Sequence, residues 1–268
     1  MKENWSERLH LGSQHPIKIH LIGVAGSGMS GIAGLLLNLG HTVSGSDKAD
    51  TKETERLIKL GLNFYGAHSP EQVSDVELVI YSSAVKPGNV VYDKAIEMGI
   101  PMLRRADALV AIMATKKSII VAGTHGKTTT SSLAAKVLRA GEGKPSHYVG
   151  AEVPILGTNA LWDSEGDYFI AEGDESDGTL VSYDPEYAIL LNVEEDHLDH
   201  YKNGIEEIRS VFSEYLDKCR KKIIYCSHDL EARTLCCGRK NVISYGFEES
   251  DNIRGVIKEV RDGSTDFD

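Results

Sequence analysis

The chain has 268 residues, 41% of them hydrophobic and 26% charged, a globular composition long enough for two packed domains. Its 29 Lys and Arg against 40 Asp and Glu give a formal charge of -11, which argues against a nucleic-acid duplex as main ligand, because such a partner needs a field of basic side chains. A polyanion would instead be bound locally, at helix N-termini and glycine loops.

Residues 1–16 lack the apolar core of a signal peptide, and no later apolar run is long enough to span a bilayer, so a cytoplasmic protein with no membrane partner is expected. Cys219, Cys226, Cys236 and Cys237 have no paired CxxC spacing. Reduced thiols are expected, not a disulfide framework or a zinc site.

In chain order, "IKIHLIGV" (17–24) is a β-branched apolar run that ends in glycines and leads into "MSGIAGLLLNLG", a helix closed by Gly40. "HTVSGSD" reads as a strand ending at Asp47, "KETERLIKLG" as a helix, "VELVIYSSA" as a strand, and "NVVYDKAIEMG" and "ADALVAIMA" as helices. The alternation predicts an α/β fold with a parallel, Rossmann-like sheet covered by helices on both faces.

The pattern then restarts. "KSIIVAGT" is a strand, "GTHGKTTT" a loop, and "TTTSSLAAKVLRAG" a helix stopped by Gly141. Strands "DYFIAEGD", "EYAILLNV", "KKIIYCS" and "NVISYGF", with the helix "IEEIRSVFSEYLDKC", continue a second parallel sheet of P-loop ATPase type. The expected division is an extension over 1–16, a Rossmann-like domain over 17–115 and an ATP-binding domain over 116–268. The last stretch, "NIRGVIKEVRDGSTDFD", reads as a strand, an Asp262-Gly263 turn and only the beginning of a return strand. That half-hairpin suggests a truncated chain.

Two loops carry the chemistry. In "GVAGSG", Gly23, Gly26 and Gly28 with Ser27 lie between a strand and a helix, where backbone N–H groups can approach a diphosphate that a side chain would block. Asp47 ends the next strand, where an acid can take a ribose hydroxyl or a base N–H. The spacing is GxxGxG, not GxGxxG, and a purely structural tight turn is the alternative. In the second loop Gly123 and Gly126 shape the turn, Lys127 can reach a transferable phosphate, and the Thr128 hydroxyl can ligate Mg2+. Glu172 ends an apolar strand at the phosphate-loop end of its sheet, which suits a hard cation. Asp174, Glu175 and Asp177 behind it are weaker candidates, or a solvated loop. His197 stands after the strand "LLNV" among Asp196, Asp199 and His200 and is the stronger of the two histidines.

Taken in order, "GVAGSGMSGIA", "GTHGKTTT", "EGDES" and "NVEEDHLDHY" resemble the Mur ligases of peptidoglycan synthesis, over essentially the whole chain after residue 16. The resemblance explains the short loop, since GT-x-GKT is that superfamily's form of the ATP loop. It implies ATP-dependent acid–amine ligation in which the lactyl carboxylate of UDP-N-acetylmuramate takes the γ-phosphate and the amine of L-alanine displaces phosphate from the acyl phosphate.

Carried over residue by residue, Gly123, Thr124, His125, Gly126, Lys127, Thr128 and Thr129 would bind ATP. Lys127, Glu172 and His197 would be catalytic, with Thr128 and Glu172 on one Mg2+ and His197 on a second metal. Gly23, Gly26, Ser27, Gly28, Asp47, Ser82 and Ser83, with His68 and Arg105 as weaker candidates, would bind the UDP substrate. His125 is typical of the alanine-adding branch, and Phe212 stands where later ligases carry a modified lysine. The tripeptide-adding branch is the near alternative. Family members have a third, C-terminal domain that this sequence lacks, so a non-catalytic UDP-muramate-binding fragment is an open outcome. From a different class, a nicotinamide oxidoreductase would explain the first loop and Asp47 but not Lys127, Glu172 or His197.

Overall fold

The computed structural model describes residues 4–10, 14–175, 179–196 and 201–268. By internal contacts the chain divides into two compact units, residues 1–117 with 132–171, and residues 118–131 with 172–268.

The first sheet comprises β1 (Lys18–Ile22), β2 (Thr42–Ser46), β3 (Asn63–Tyr65), β4 (Leu78–Tyr81) and β5 (Met102–Arg104), in the order β3-β2-β1-β4-β5. All neighbours pair in parallel. The order reverses between β1 and β4, and that crevice beyond the carboxyl ends is where such sheets bind ligands. Register places Ile22 beside both Ser46 and Tyr81, so the loops following β1, β2 and β4 leave the sheet at one level.

Helices α1 (Trp5–His10), α2 (Ser27–Asn38), α3 (Lys52–Lys59), α4 (Val90–Glu97) and α5 (Arg105–Met113) accompany it. Four of the five residues of β1 are buried, as expected of a strand covered on both faces. Helix α2 buries Met29 through Leu36 without a polar side to spare, because it too is enclosed. Ile22, Val73, Val79, Val91 and Ala95 form a core cluster involving β1, β4 and α4. Thr51 and Thr54 make a reciprocal capping box that fixes the start of α3.

The second sheet uses β6 (Lys117–Ala122), β7 (Ser146–Tyr148), β8 (Ala160–Leu161), β9 (Tyr168–Gly173), β10 (Tyr187–Leu190), β11 (Lys222–Cys226), β12 (Val242–Gly246) and β13 (Ile253–Arg254). Their order is β13-β12-β11-β10-β6-β9-β7-β8, and the pairing is mostly parallel with an antiparallel β7–β8 contact. Helices α6 (Lys127–Ala140), α7 (Ile205–Asp217) and α8 (Leu230–Cys236) belong to this half of the sequence. Phe212, Tyr215 and Leu216 of α7 are buried, and the Tyr215 hydroxyl donates to the Ile120 carbonyl at 3.0 Å.

The terminal hairpin differs from expectation. β14 (Ile257–Arg261) and β15 (Ser264–Phe267) pair from Arg261↔Ser264 to Ile257↔Phe267 across the Asp262-Gly263 turn, so the return strand pairs along β14 and a hairpin forms. The Asp-Gly signal closes the turn because Gly263 takes φ 77°. No described helix is long and apolar enough to cross a membrane. The four cysteines are free thiols, with Cys219 and Cys236 buried.

Candidate functional site

The first glycine loop is organised by β2. The Ser46 carbonyl accepts the Gly23 and Val24 N–H groups at 2.8 and 3.3 Å, and Gly26 N–H returns to the Gly23 carbonyl at 3.2 Å. Gly23 sits at φ 85°, where a side chain would be strained. One oxygen of Asp47 accepts Ala25 N–H at 3.0 Å and the other accepts Ala49 N–H at 3.1 Å. Asp47 therefore ties β2 to the loop.

Ser82 lies beside Gly23, its hydroxyl 3.7 Å from where a Gly23 Cβ would stand, and Ser83 follows it in the same turn after β4. His68 joins the site through Ser46, with Nδ1 2.9 Å from the Ser46 hydroxyl. Ser27 and Gly28 open α2.

Sequence reasoning missed three residues here. Tyr148 donates to the Gly28 carbonyl at 3.0 Å and accepts from Arg105 Nη1 at 3.1 Å. A Cβ on Gly28 would lie 2.9 Å from the Tyr148 hydroxyl and 3.0 Å from Arg105 Cδ, so this glycine makes room for both side chains. Asn159 Nδ2 donates to the Ser27 carbonyl at 2.8 Å and contacts the Ser30 hydroxyl at 3.1 Å. Tyr148 and Asn159 lie more than a hundred residues beyond the loop, and no local pattern announces them. The third, His20, is buried on β1 and contacts the Ser46 hydroxyl through Nε2 at 3.0 Å.

The second loop is held by β10's continuation. Gly123, at φ 148°, would bring a Cβ to 3.0 Å from the Asn192 carbonyl oxygen, and Gly126 takes φ 83°. Asn192 accepts Thr124 N–H on its backbone oxygen at 3.1 Å and His125 N–H on its side-chain oxygen at 2.8 Å, and its amide donates to the His125 carbonyl at 3.1 Å. The Thr124 hydroxyl accepts Glu194 N–H at 2.9 Å. The His125 ring is exposed, 3.7 Å from the Glu194 carboxylate.

Lys127 donates to the Gly123 and Thr124 carbonyls at 2.7 and 3.1 Å and to both oxygens of Glu175 at 2.9 Å. Glu175 is buried and Lys127 nearly so. Burial raises the Glu175 carboxyl above its ordinary range, while Lys127 pulls the other way. Tyr201 donates its hydroxyl to the Glu175 carbonyl. The sequence ranked Glu175 below Glu172, yet it is Glu175 that pairs with the lysine. Glu172 is half-buried at the end of β9, Thr128 is half-buried and Thr129 exposed in the first turn of α6. His197, His200, Asp199 and Asp177 lie outside the described residues.

The second loop fits a polyphosphate, with glycines at positive φ, backbone amides at the start of the fourteen-residue helix α6, and an ammonium beside them. The Thr128 hydroxyl and Glu172 carboxylate are hard oxygen donors of the kind Mg2+ takes. Among the described residues no three His, Cys, Asp or Glu side chains converge as a metal cluster.

Fold and loops together define a two-sheet α/β protein in which a Rossmann-type sheet with a glycine loop precedes a sheet carrying a phosphate loop. The pattern described as "Mur ligase family, catalytic domain" matches residues 18–117, and that of the "Mur ligase middle domain" matches residues 121–267. The chain belongs to the Mur ligase family, whose members are ATP-dependent amide ligases. It is 40% identical over 253 residues to a UDP-N-acetylmuramate--L-alanine ligase of Geobacter sulfurreducens, covering 93% of this chain and 54% of that protein.

Among solved structures, UDP-N-acetylmuramate-alanine ligase of Thermotoga maritima superposes with a TM-score of 0.78 at 28% identity, over 87% of this chain and 53% of that one. A Neisseria meningitides ligase of UDP-N-acetylmuramate with L-alanyl-gamma-D-glutamyl-meso-diaminopimelate shares the fold, with a TM-score of 0.82 at 24% identity, over 94% of this chain and 84% of that one. The chain spans about half the length of the curated relatives it matches.

Proposed function

We propose that this chain carries the UDP-N-acetylmuramate-binding and ATP-binding parts of a cytoplasmic ligase that joins L-alanine to the lactyl carboxylate of the UDP sugar through an acyl phosphate. The observation that carries the reading is the Gly123–Lys127 loop and its partners. Asn192 fixes the loop backbone with three hydrogen bonds, and the Lys127 ammonium is held against the loop by two of its carbonyls and by Glu175.

A carboxylate and an ammonium do not condense in water, so the carboxylate must first be activated. Phosphoryl transfer is catalysed chiefly by positioning and charge neutralisation. Lys127 supplies positive charge to a migrating phosphoryl group, and the loop amides hold the other phosphates. Thr128 and Glu172 would hold Mg2+, which when bound neutralises phosphate charge; His197 is assigned to a second metal by family likeness. In the first unit Gly23 and Gly26 shape the loop while the Ser27 and Gly28 amides at the start of α2 would meet the diphosphate, with Asp47, His68, Ser82, Ser83 and Arg105 assigned to the rest of the UDP substrate. The identity of the relatives favours L-alanine over a tripeptide as the amine.

Calorimetry of the chain with UDP-N-acetylmuramate, ATP with Mg2+, and NADH tests this reading. Micromolar binding of the first two, about -8 kcal/mol, with none for NADH is expected. NADH binding without UDP-sugar binding would overturn it. A chain that binds both substrates and forms no alanine adduct would be a binding fragment of the same lineage.

A further inference from the structure

His20 and His68 meet on one serine. His20 is fully buried on β1, with Nε2 3.0 Å from the Ser46 hydroxyl and Nδ1 2.9 Å from the Ser44 hydroxyl. His68 presents Nδ1 to the same Ser46 hydroxyl at 2.9 Å. Ser46 itself is fully buried. The Ser44 hydroxyl in turn donates to the Ile19 carbonyl at 3.4 Å. All these groups lie in the first unit.

A carbonyl can only accept, so it sets the direction of the whole chain. With the Ser44 proton on the Ile19 carbonyl, Ser44 accepts from His20, which then carries its hydrogen on Nδ1. His20 Nε2 is then a bare acceptor and takes the proton of Ser46. Having donated there, the Ser46 hydroxyl accepts from His68 Nδ1–H. The opposite polarity, with Ser44 donating to His20 Nδ1, would reverse every proton in the chain and leave Nε2–H on both rings.

We infer that His20, through Ser46, is a positioning residue that fixes His68 in the Nδ1–H tautomer and so presents His68 Nε2 as a hydrogen-bond acceptor for an N–H or O–H of the uridine moiety. This rests on the UDP-substrate reading of the first unit. Two further observations agree with it. Burial holds the His20 pKa down to about 4, so the ring is neutral and able to accept from Ser46. Ser46 also precedes Asp47, the position at the end of β2 where a ribose or base is read, and its carbonyl anchors Gly23 and Val24. His68 thus takes a ligand proton at the nucleoside end of the site and does not donate to phosphate.

The tautomers are read directly from imidazole nitrogen shifts in the 268-residue chain labelled with 15N. Free neutral histidine prefers Nε2–H, so Nδ1–H at both His20 and His68 is a distinctive expectation. Nε2–H at either ring overturns the inference, and this arm needs no variant and no ligand. On adding UDP, His68 Nε2 should shift as it gains a donor. N3-methyl-UDP, 2′-deoxy-UDP and 3′-deoxy-UDP then separate the three proton sources of the uridine, and about a tenfold loss with one of them is expected for a single hydrogen bond. Equal affinity for UDP and all three analogues overturns the acceptor role.

In S46A the His68 ring should revert to Nε2–H and UDP affinity fall by about tenfold. An unchanged tautomer and affinity would sink the role of Ser46. If wild-type chain does not bind UDP at all, the substrate reading fails while the tautomer result stands on its own.

Discussion

At the scale of single residues, the Lys127–Glu175 pair links the phosphate loop to the stability of its unit. The carboxylate is 3% exposed and receives both of its 2.9 Å bonds from the one ammonium. Removing the lysine leaves a buried acid deprived of that charge, which typically costs about 3–5 kcal/mol. K127M is therefore expected to lose ATP binding and also to unfold at lower denaturant. The double variant K127M/E175L should regain most of the lost stability without regaining ATP. Urea melts and nucleotide titrations of the three proteins check this, and a K127M protein as stable as wild type would show that the pair is not coupled to the fold.

Asn192 belongs to the same scale. N192A removes an acceptor for His125 N–H and a donor to its carbonyl while leaving Lys127 in place. ATP affinity is expected to fall about tenfold, by loss of loop order worth about 1–2 kcal/mol, with UDP-sugar binding unchanged. Calorimetry with each ligand separates the two.

At the scale of elements, α2 shows why some glycines are needed inside a helix. Gly to Ala in a helix interior ordinarily stabilises by about 1 kcal/mol. A Cβ on Gly31, however, would lie 2.8 Å from Tyr148 Cε2 and 3.0 Å from Cδ2. G31A is expected to destabilise by about 1–3 kcal/mol through overpacking, and the same change in a Y148A background should become neutral or favourable. A thermal-melt double-mutant cycle measures the coupling.

The elements also show what the sequence could tell. The strands β1, β2, β4, β6, β9, β10, β11 and β12 and the helices α2 to α7 were all legible, because apolar runs and glycine stops are local signals. Edge strands β3 and β5 were not, since three residues cannot display a period, and their pairing comes from β2 and β4. The short β7 and β8 escaped for the same reason. The glycines and Lys127 of the site were legible, whereas Tyr148, Asn159, Asn192 and the Lys127 pairing of Glu175 depend on segments far along the chain meeting a loop.

At the scale of the whole molecule, the buried histidines of the first unit and the buried Glu175 carboxyl of the second should respond to acid with opposite sign. In the first, burial lowers the pKa of both His20 and His147 from 6.5 to about 4. His147 is additionally held neutral by Arg139, which donates to Nδ1 at 2.9 Å, against the opposing pull of the Thr158 carbonyl 3.1 Å from Nε2. A folded pKa below the unfolded one gives stability that is complete above pH 6.5 and is lost as pH falls toward 4, about 3 kcal/mol for each ring. In the second unit burial raises the Glu175 pKa, so its contribution is fully present below the unfolded carboxyl range and declines as pH rises through the folded value. Acidification thus loosens the first unit while relieving the buried carboxylate of the second.

Both tryptophans, Trp5 and Trp162, fall in the first unit, so their fluorescence follows that unit alone while circular dichroism follows both. Between pH 7 and pH 4.5 the urea midpoint read by tryptophan should drop markedly and separate from the midpoint read by circular dichroism. In H147Q, which cannot take up a proton, about half of that drop should disappear. A tryptophan midpoint that does not move over this range would mean that the buried histidines stay neutral at no cost to the fold, and that the acid sensitivity of the molecule lies elsewhere.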